Sequence, residues 1–261
     1  MLSQETEARL LAGCLAYVRR SFVDVGAEQG AWTRFLVSRG FHGVCFEPLP
    51  KHKGALDALN KTGVVRSYEF AIDQMDRQAE FHVACDAAGQ PLDFFHSLQR
   101  LDGDSRVQHR QTLPVTCRSL ASLAAEGLIE QPLGVLKIDT EGNDLRVLRG
   151  LGPVRADIIL CEFFTKGLYN GWSEAEPTGL IAEAQKLGYE WWLAVRRREG
   201  AELISLCPVE FTQREWGNLL FLTDQVFHAA RQNIGHFVAE AENQLFNSLE
   251  RVGTPKRRRW L

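Results

Sequence analysis

With 261 residues, 45% of them hydrophobic and 24% charged, and a formal net charge of −3, the chain suits one large α/β domain. That balance excludes any overall pull toward nucleic acid or an anionic membrane surface. Its six cysteines are scattered with no C-x-x-C pair to suggest zinc or dithiol chemistry, and no apolar run approaches the ~18 residues of a membrane span. The N-terminus lacks the basic start and apolar core of a signal peptide, so a reducing cytoplasm is the compartment expected.

Residues 4–19 read as an amphipathic helix, with Ala8, Leu11, Leu15 and Val18 at helical spacing and glutamates in the first turn. "SFVDVG" follows as a strand and "AWTRFLVSRG" as a helix closed by Gly40. "GVCFEP" gives a second strand stopped by Pro48, "KHKGALDALNKTG" a second helix, and "VVRSYEFAI" a third strand. Residues 76–117 break the rhythm: "AEFHVAC" and "TLPVTC" read as strands of a β-rich insertion, with a mobile loop near 86–111 between them.

The alternation then resumes with a helix over 118–126, strand "GVLKID", helix "NDLRVLRGL" and strand "DIILCEF". A helix near 176–187, strand "YEWWLAV" and a last strand "NLLFLT" complete the domain, which spans 21–223 between an N-terminal helix (1–20) and a C-terminal extension (224–261). In that extension Phe227, Ala230, Ile234, Phe237, Ala241, Leu245, Leu249 and Val252 recur every three or four residues. They mark one long helix or two shorter ones, a packing element or a homodimer seam. The tail "KRRR", Lys256 to Arg259, is a solvated terminus or a contact for an anionic partner.

Alternating β and α elements predict a mostly parallel sheet with helices on both faces, and such sheets bind ligands at the carboxyl ends of their strands. In "FVDVGAEQGAW" the first such end carries Gly26 and Gly30 as G-x-x-x-G, without the middle glycine of the dinucleotide fingerprint and with Glu28 near that spot. A carboxylate there repels a pyrophosphate but attracts the sulfonium and ammonium of S-adenosylmethionine. Glu47 ends the next strand, where an acid accepts hydrogen bonds from both ribose hydroxyls of an adenosine. In "VLKIDTEGNDLRVLRG", Lys137, Asp139 and Glu141 alternate along one face; they need partners or a site, and Asn143 stands where it could cap the next helix.

Taken together, "FVDVGAEQGAWT", "CFEP", "FAID", "LKIDTEGNDLRVLRG" and "IILCEFF" resemble the ordered motifs of the FkbM-type methyltransferases over roughly residues 20–225. The resemblance implies a class I, Rossmann-like fold and S-adenosylmethionine-dependent methylation of hydroxyls on sugars and natural products. The family's first loop usually has asparagine where Glu28 stands, and its leucine-aspartate before the fourth strand is Arg118–Ser119 here. Carried over by motif, Asp24, Gly26 and Gly30, with Ala27 and Glu28 between them, would line the methionine part of the cofactor. Glu47 and Pro48 would hold the ribose, and Ala71, Ile72 and Asp73 would flank the adenine. Asp139 would sit near the sulfonium, with Glu141, Asn143 and Glu162 at the acceptor mouth.

The proton of an acceptor hydroxyl would go to Asp139 or Glu141, or to His96 in "DFFHSLQ". Tyr169, Asn170 and Trp172 are candidate contacts for a glycan or polyketide hydroxyl, and Trp191 and Trp192 either wall the acceptor or belong to the core. The histidines lack paired spacing and give a metal site little support; a divalent ion, if used, would draw on Asp139, Glu141 and Glu162. Two alternatives stay open at this stage, a nicotinamide-dependent oxidoreductase and a non-catalytic interaction protein of the same fold.

Overall fold

The chain's structure, a computed structural model, describes residues 5–101, 106–168 and 173–252, and side chains of the last helix as far as residue 240. Helix α1 (Thr6–Cys14) leads into β1 (Ser21–Val25), α2 (Ala31–Val37), β2 (His42–Phe46), α3 (Lys53–Asn60) and β3 (Val65–Tyr68). Three strands follow, β4 (Ala71–Ile72), β5 (Arg77–Cys85) and β6 (Gln108–Arg118). The second half runs α4 (Leu120–Ala125), β7 (Leu133–Ile138), α5 (Asp144–Arg149), β8 (Ala156–Phe164), α6 (Pro177–Lys186), β9 (Trp191–Arg198), β10 (Ala201–Leu206), β11 (Trp216–Leu222) and α7 (Asp224–Val252).

The main sheet has the order β10-β9-β11-β8-β7-β1-β2-β3. Strands β3, β2, β1, β7 and β8 pair in parallel, while β11 runs antiparallel between β8 and β9. From β1 the chain builds outward to β3 and then returns to the other side of β1 as β7. The strand order therefore reverses between β1 and β7, which is where ligands bind in sheets of this kind. This is the Rossmann-like class I methyltransferase architecture that the motifs predict.

The residue pattern explains the layers. Successive strand residues face opposite sides, and both sides here are apolar. Val23, Val25, Leu136, Ile138, Ile159 and Cys161 pack into one core with α4, α5 and α6. Phe22, Cys45, Val135, Ile158 and Leu160 pack into the other, against α1, α2, α3 and α7. Each such side chain contributes roughly 1.5–3 kcal/mol when withdrawn from water. Trp192 is buried in the first core, and Trp191 stacks on Phe227 at 3.9 Å, so neither walls an acceptor site.

Three expectations are corrected. "VVRSYEFAI" is not one strand: it breaks at Glu69–Phe70, β3 closing the main sheet and β4 joining a separate three-stranded sheet of order β4-β6-β5. Strand β10 was not foreseen; it folds back on β9 through Glu199–Gly200, both at positive φ (51° and 83°), a two-residue hairpin turn. In α7, Val226, Ala230 and Ile234 are buried and Phe227 and Phe237 partly so, packed within the chain beside α1. Over this stretch the face therefore serves as a packing element inside the molecule. The side chains of Ala241, Leu245, Leu249 and Val252 lie outside the described residues, as does the Lys256–Arg259 tail.

Candidate functional site

A cleft open to solvent lies at the carboxyl ends of β1 and β7, with Ala71, Ile72 and Phe81 of the small sheet on its wall. Its floor is the crossing of two loops. Gly26 has φ +71°, and a Cβ there would stand 1.8 Å from the Asp139 carbonyl oxygen. Only glycine lets these strand ends approach so closely. Beneath them, Lys137 is buried in β7, with Nζ 3.3 Å from Asp24 Oδ1 and 3.5 Å from Asp139 Oδ2, and donates to the Gly26 carbonyl at 2.7 Å. Burial opposes its charge, but Asp139 and Asp24 outweigh that and hold the ammonium above its ordinary pKa.

Glu47 ends β2 on the neighbouring wall. Its Oε2 accepts from the Glu28 backbone N–H and its Oε1 from that of Leu49, both at 2.9 Å. The carboxylate is thereby fixed before any ligand arrives. Burial pushes its pKa up to about 7, against the two N–H groups that favour the ionised form. Glu28 also lines the cleft, and burial and then the charge of Asp139 raise its pKa. Pro48, Ala71 and Ile72 line the same space, with Phe70 and Phe81 beside them.

At the other end Asp139, Glu141 and Asn143 line the cleft, and Glu162 stands behind them on β8. One carboxylate oxygen each of Asp139, Glu141 and Glu162 falls within 4.8 Å of the others. Glu141 sits at φ 52°, and burial, then the Asp139 charge, raises its pKa; the same two causes raise that of Glu162. Asp144, which the sequence reading passed over, braces the loop: its Oδ2 accepts from Thr140 Oγ1 at 2.6 Å and its Oδ1 from the Glu162 backbone at 3.0 Å.

Several expected contacts are redirected. The side chain of Asp24 is wholly buried and accepts from Thr33 Oγ1 at 2.7 Å, away from the cleft. Ala27 packs into the core shared with α1, α2, α3 and α7, and Gly30 leaves room for α3, since a Cβ there would meet Leu59 Cδ1 at 2.4 Å. Asp73 is fully buried between Arg146 and Arg77 and does not line the cleft. Asn143 occupies the N-cap position of α5, but its side chain makes no capping bond; it donates to the Ile72 carbonyl and accepts from Gln99 Nε2.

His96 lines the cleft, but its Nδ1 accepts the Ala84 backbone N–H at 2.9 Å. Its Nε2 stands 2.9 Å from the Lys51 ammonium, so both ring nitrogens face donor groups and neither is free for an acceptor hydroxyl. Burial and the nearby Lys51 push its pKa to about 4, so the ring stays neutral. Tyr169, Asn170 and Trp172 lie outside the described residues.

Two features had no usable sequence signal. His52 is 4% exposed, lines the cleft and holds a buried Nε2 with no hydrogen-bond partner. Phe94 stands 60% exposed at the rim, next to Phe95 at φ 70°. Among the described residues lining the cleft are five carboxylates, Glu28, Glu47, Asp93, Asp139 and Glu141, and no lysine or arginine.

A family model described as the methyltransferase FkbM domain matches residues 24–206. Among solved structures, methyltransferase FkbM from Methylobacillus flagellatus KT is similar over 79% of this chain and 45% of its own, at 14% identity and a TM-score of 0.43. This chain thus spans less than half the length of that protein. A precorrin-6y C5,15-methyltransferase from Geobacter metallireducens GS-15 is similar over 85% of this chain and 90% of its own, at 11% identity and a TM-score of 0.42. SMU.1697c from Streptococcus mutans, in complex with SAH, is similar over 85% and 98%, at 7% identity and a TM-score of 0.42. No curated protein matches the sequence.

Proposed function

The chain belongs to the FkbM family of S-adenosylmethionine-dependent methyltransferases, and from that premise we propose that it methylates a hydroxyl group of a sugar, glycan or natural product. The observation that carries the cofactor reading is the acidic lining of the cleft: five carboxyl groups line it, against two cations that touch them from outside the lining, Lys51 beside Asp93 and Lys137 beside Asp139. Such a wall suits a guest bearing a sulfonium and an ammonium, each attraction being worth up to roughly 4 kcal/mol at close range in a partly buried site. It repels a diphosphate, which argues against a nicotinamide dinucleotide.

The residues present fit S-adenosylmethionine. Gly26 would let it lie against bare backbone, Glu47 would receive its ribose hydroxyls, and Ala71 and Ile72 would flank its adenine. The unpartnered Nε2 of His52 offers a hydrogen bond inside the same space. When bound, the cofactor supplies an electrophilic methyl group on sulfur.

The chain's own part is alignment and proton removal. Glu28 and Asp139 would stabilise positive charge in the cleft, and the rim formed by Asp93, Phe94 and Phe95 would help exclude water around the acceptor. An acceptor hydroxyl would give its proton to a carboxylate oxygen of Asp139 or Glu141 as its oxygen gains carbon. His96, with both ring nitrogens facing donor groups, is left out of this role.

Calorimetry with S-adenosylmethionine and its demethylated product tests the cofactor reading. Incubation with labelled cofactor and hydroxyl-bearing glycans or metabolites, followed by mass spectrometry, tests the acceptor. Absence of binding by either compound, or label found only on nitrogen or carbon, would overturn the corresponding half.

A further inference from the structure

The acceptor end of the cleft holds more carboxylate than proton removal requires. Asp139 follows β7, Glu141 comes two residues later in a left-handed conformation, and Glu162 reaches them from the adjacent strand β8. One oxygen of each lies within 4.8 Å of the other two. Three acids so close need protons or a cation among them. The nearby cation, Lys137, is engaged below, between Asp24 and Asp139 and on the Gly26 carbonyl. Asp144 is turned to Thr140 and the Glu162 backbone. Glu162 Oε2 is enclosed by protein and meets no donor group, and the Asp139 carboxyl lies within hydrogen-bond reach of the Glu162 side chain. Carboxyl groups in contact with no donor between them must hold either a shared proton or a cation.

We propose that Asp139, Glu141 and Glu162 form a binding site for a divalent, oxygen-preferring cation of the magnesium or manganese class. An all-carboxylate donor set selects such hard ions over zinc or copper, and these ions keep several coordination positions for water or substrate. Asp139 and Glu141 line the cleft whereas Glu162 stands behind it, so the free positions face the acceptor space. The ion's role, holding an acceptor hydroxyl beside the methyl donor, rests on the function proposed above; its binding does not.

The test is titration of Mn2+ into the full chain at mildly alkaline pH, followed by the loss of the free-ion paramagnetic resonance signal, with binding of S-adenosylhomocysteine measured in parallel. Saturable binding to one site is expected, weakened roughly tenfold or more by Glu162→Gln and by Glu141→Gln, each checked for folding by circular dichroism. No saturable binding, the result if the acids share protons instead, overturns the site. So does unchanged affinity in both folded variants. Manganese binding without binding of the nucleoside would leave the cation site standing and remove the cofactor reading.

Discussion

Glu47 shows how one residue can be prepared for a ligand. Both of its oxygens are already oriented by backbone N–H groups, so little order remains to be imposed when ribose hydroxyls arrive. Glu47→Ala is expected to weaken cofactor binding by about tenfold or more, roughly 1.4 kcal/mol, read by calorimetry. The pH dependence has a definite sign. An acid whose folded pKa is raised to about 7 favours the folded state most when protonated, and that contribution fades as pH rises through about 7. Accepting two hydroxyl hydrogens needs the ionised form, so affinity should climb over the same interval and then level off. Glu47→Gln should bind weakly with a flat profile, and a flat profile in the unaltered chain would remove Glu47 from the ribose. Gly26→Ala tests the floor of the cleft: with positive φ and Asp139 O in the way, it should cost at least about 2 kcal/mol, read as a lowered melting temperature. Strand parity could have corrected the placing of Asp24. Phe22 and Asp24 share a side of β1, and Phe22 packs on the face covered by α1, α2, α3 and α7, so the acid faces Thr33 of α2.

At the scale of elements, Asp73 joins pieces that the sequence keeps apart. It follows β4, and its carboxylate is bound by Arg146 of α5, by Arg77 of β5 and by the Gln74 backbone. It therefore ties the small sheet to the helix that follows the cluster of acids. Burial raises its pKa, but these partners together outweigh that and leave it lowered. A lowered carboxylate adds stability above its unfolded pKa and loses it as pH falls through the folded one. Asp73→Ala should cost about 1–3 kcal/mol, because it removes a buried carboxylate from two partly exposed arginines that water can then reach, and should blunt the acid branch of the stability curve. An unaltered denaturation midpoint would reduce this ion pair to decoration. Elements with a strong period and a clear stop, such as β1, β7 and α7, were legible from the sequence. The join between β3 and β4 was not, because an apolar run shows that a segment is buried but not which sheet it enters. Strand β10 carried a signal, the Glu199–Gly200 turn between alternating residues, that a search for hairpin dipeptides would have found.

Across the whole molecule, alternating elements dictated a parallel sheet, and the sheet in turn dictated a crevice where β1 and β7 diverge. The acids at that crevice were legible because strand ends converge there. His52 and Phe94 were not, since they arrive from a connecting segment and an insertion whose path no local pattern fixes. The two cores lie on either side of the sheet, so a ligand seated at the switch point would touch loops from both halves and add its binding energy to the folded state as a whole. A ligand at a hundred times its dissociation constant stabilises the native chain by about 2.7 kcal/mol. For a domain of this size that amounts to a rise in melting temperature of roughly 5–10 °C. S-adenosylhomocysteine should produce such a rise, and Glu47→Ala should reduce it at the same concentration. A nicotinamide dinucleotide brings two phosphates to a wall of five carboxylates and should leave the melting temperature where it was. A shift with the dinucleotide and none with the sulfur nucleoside would mean that the charge of the cleft has been misread, and the methyl-transfer assignment for this chain would fall with it.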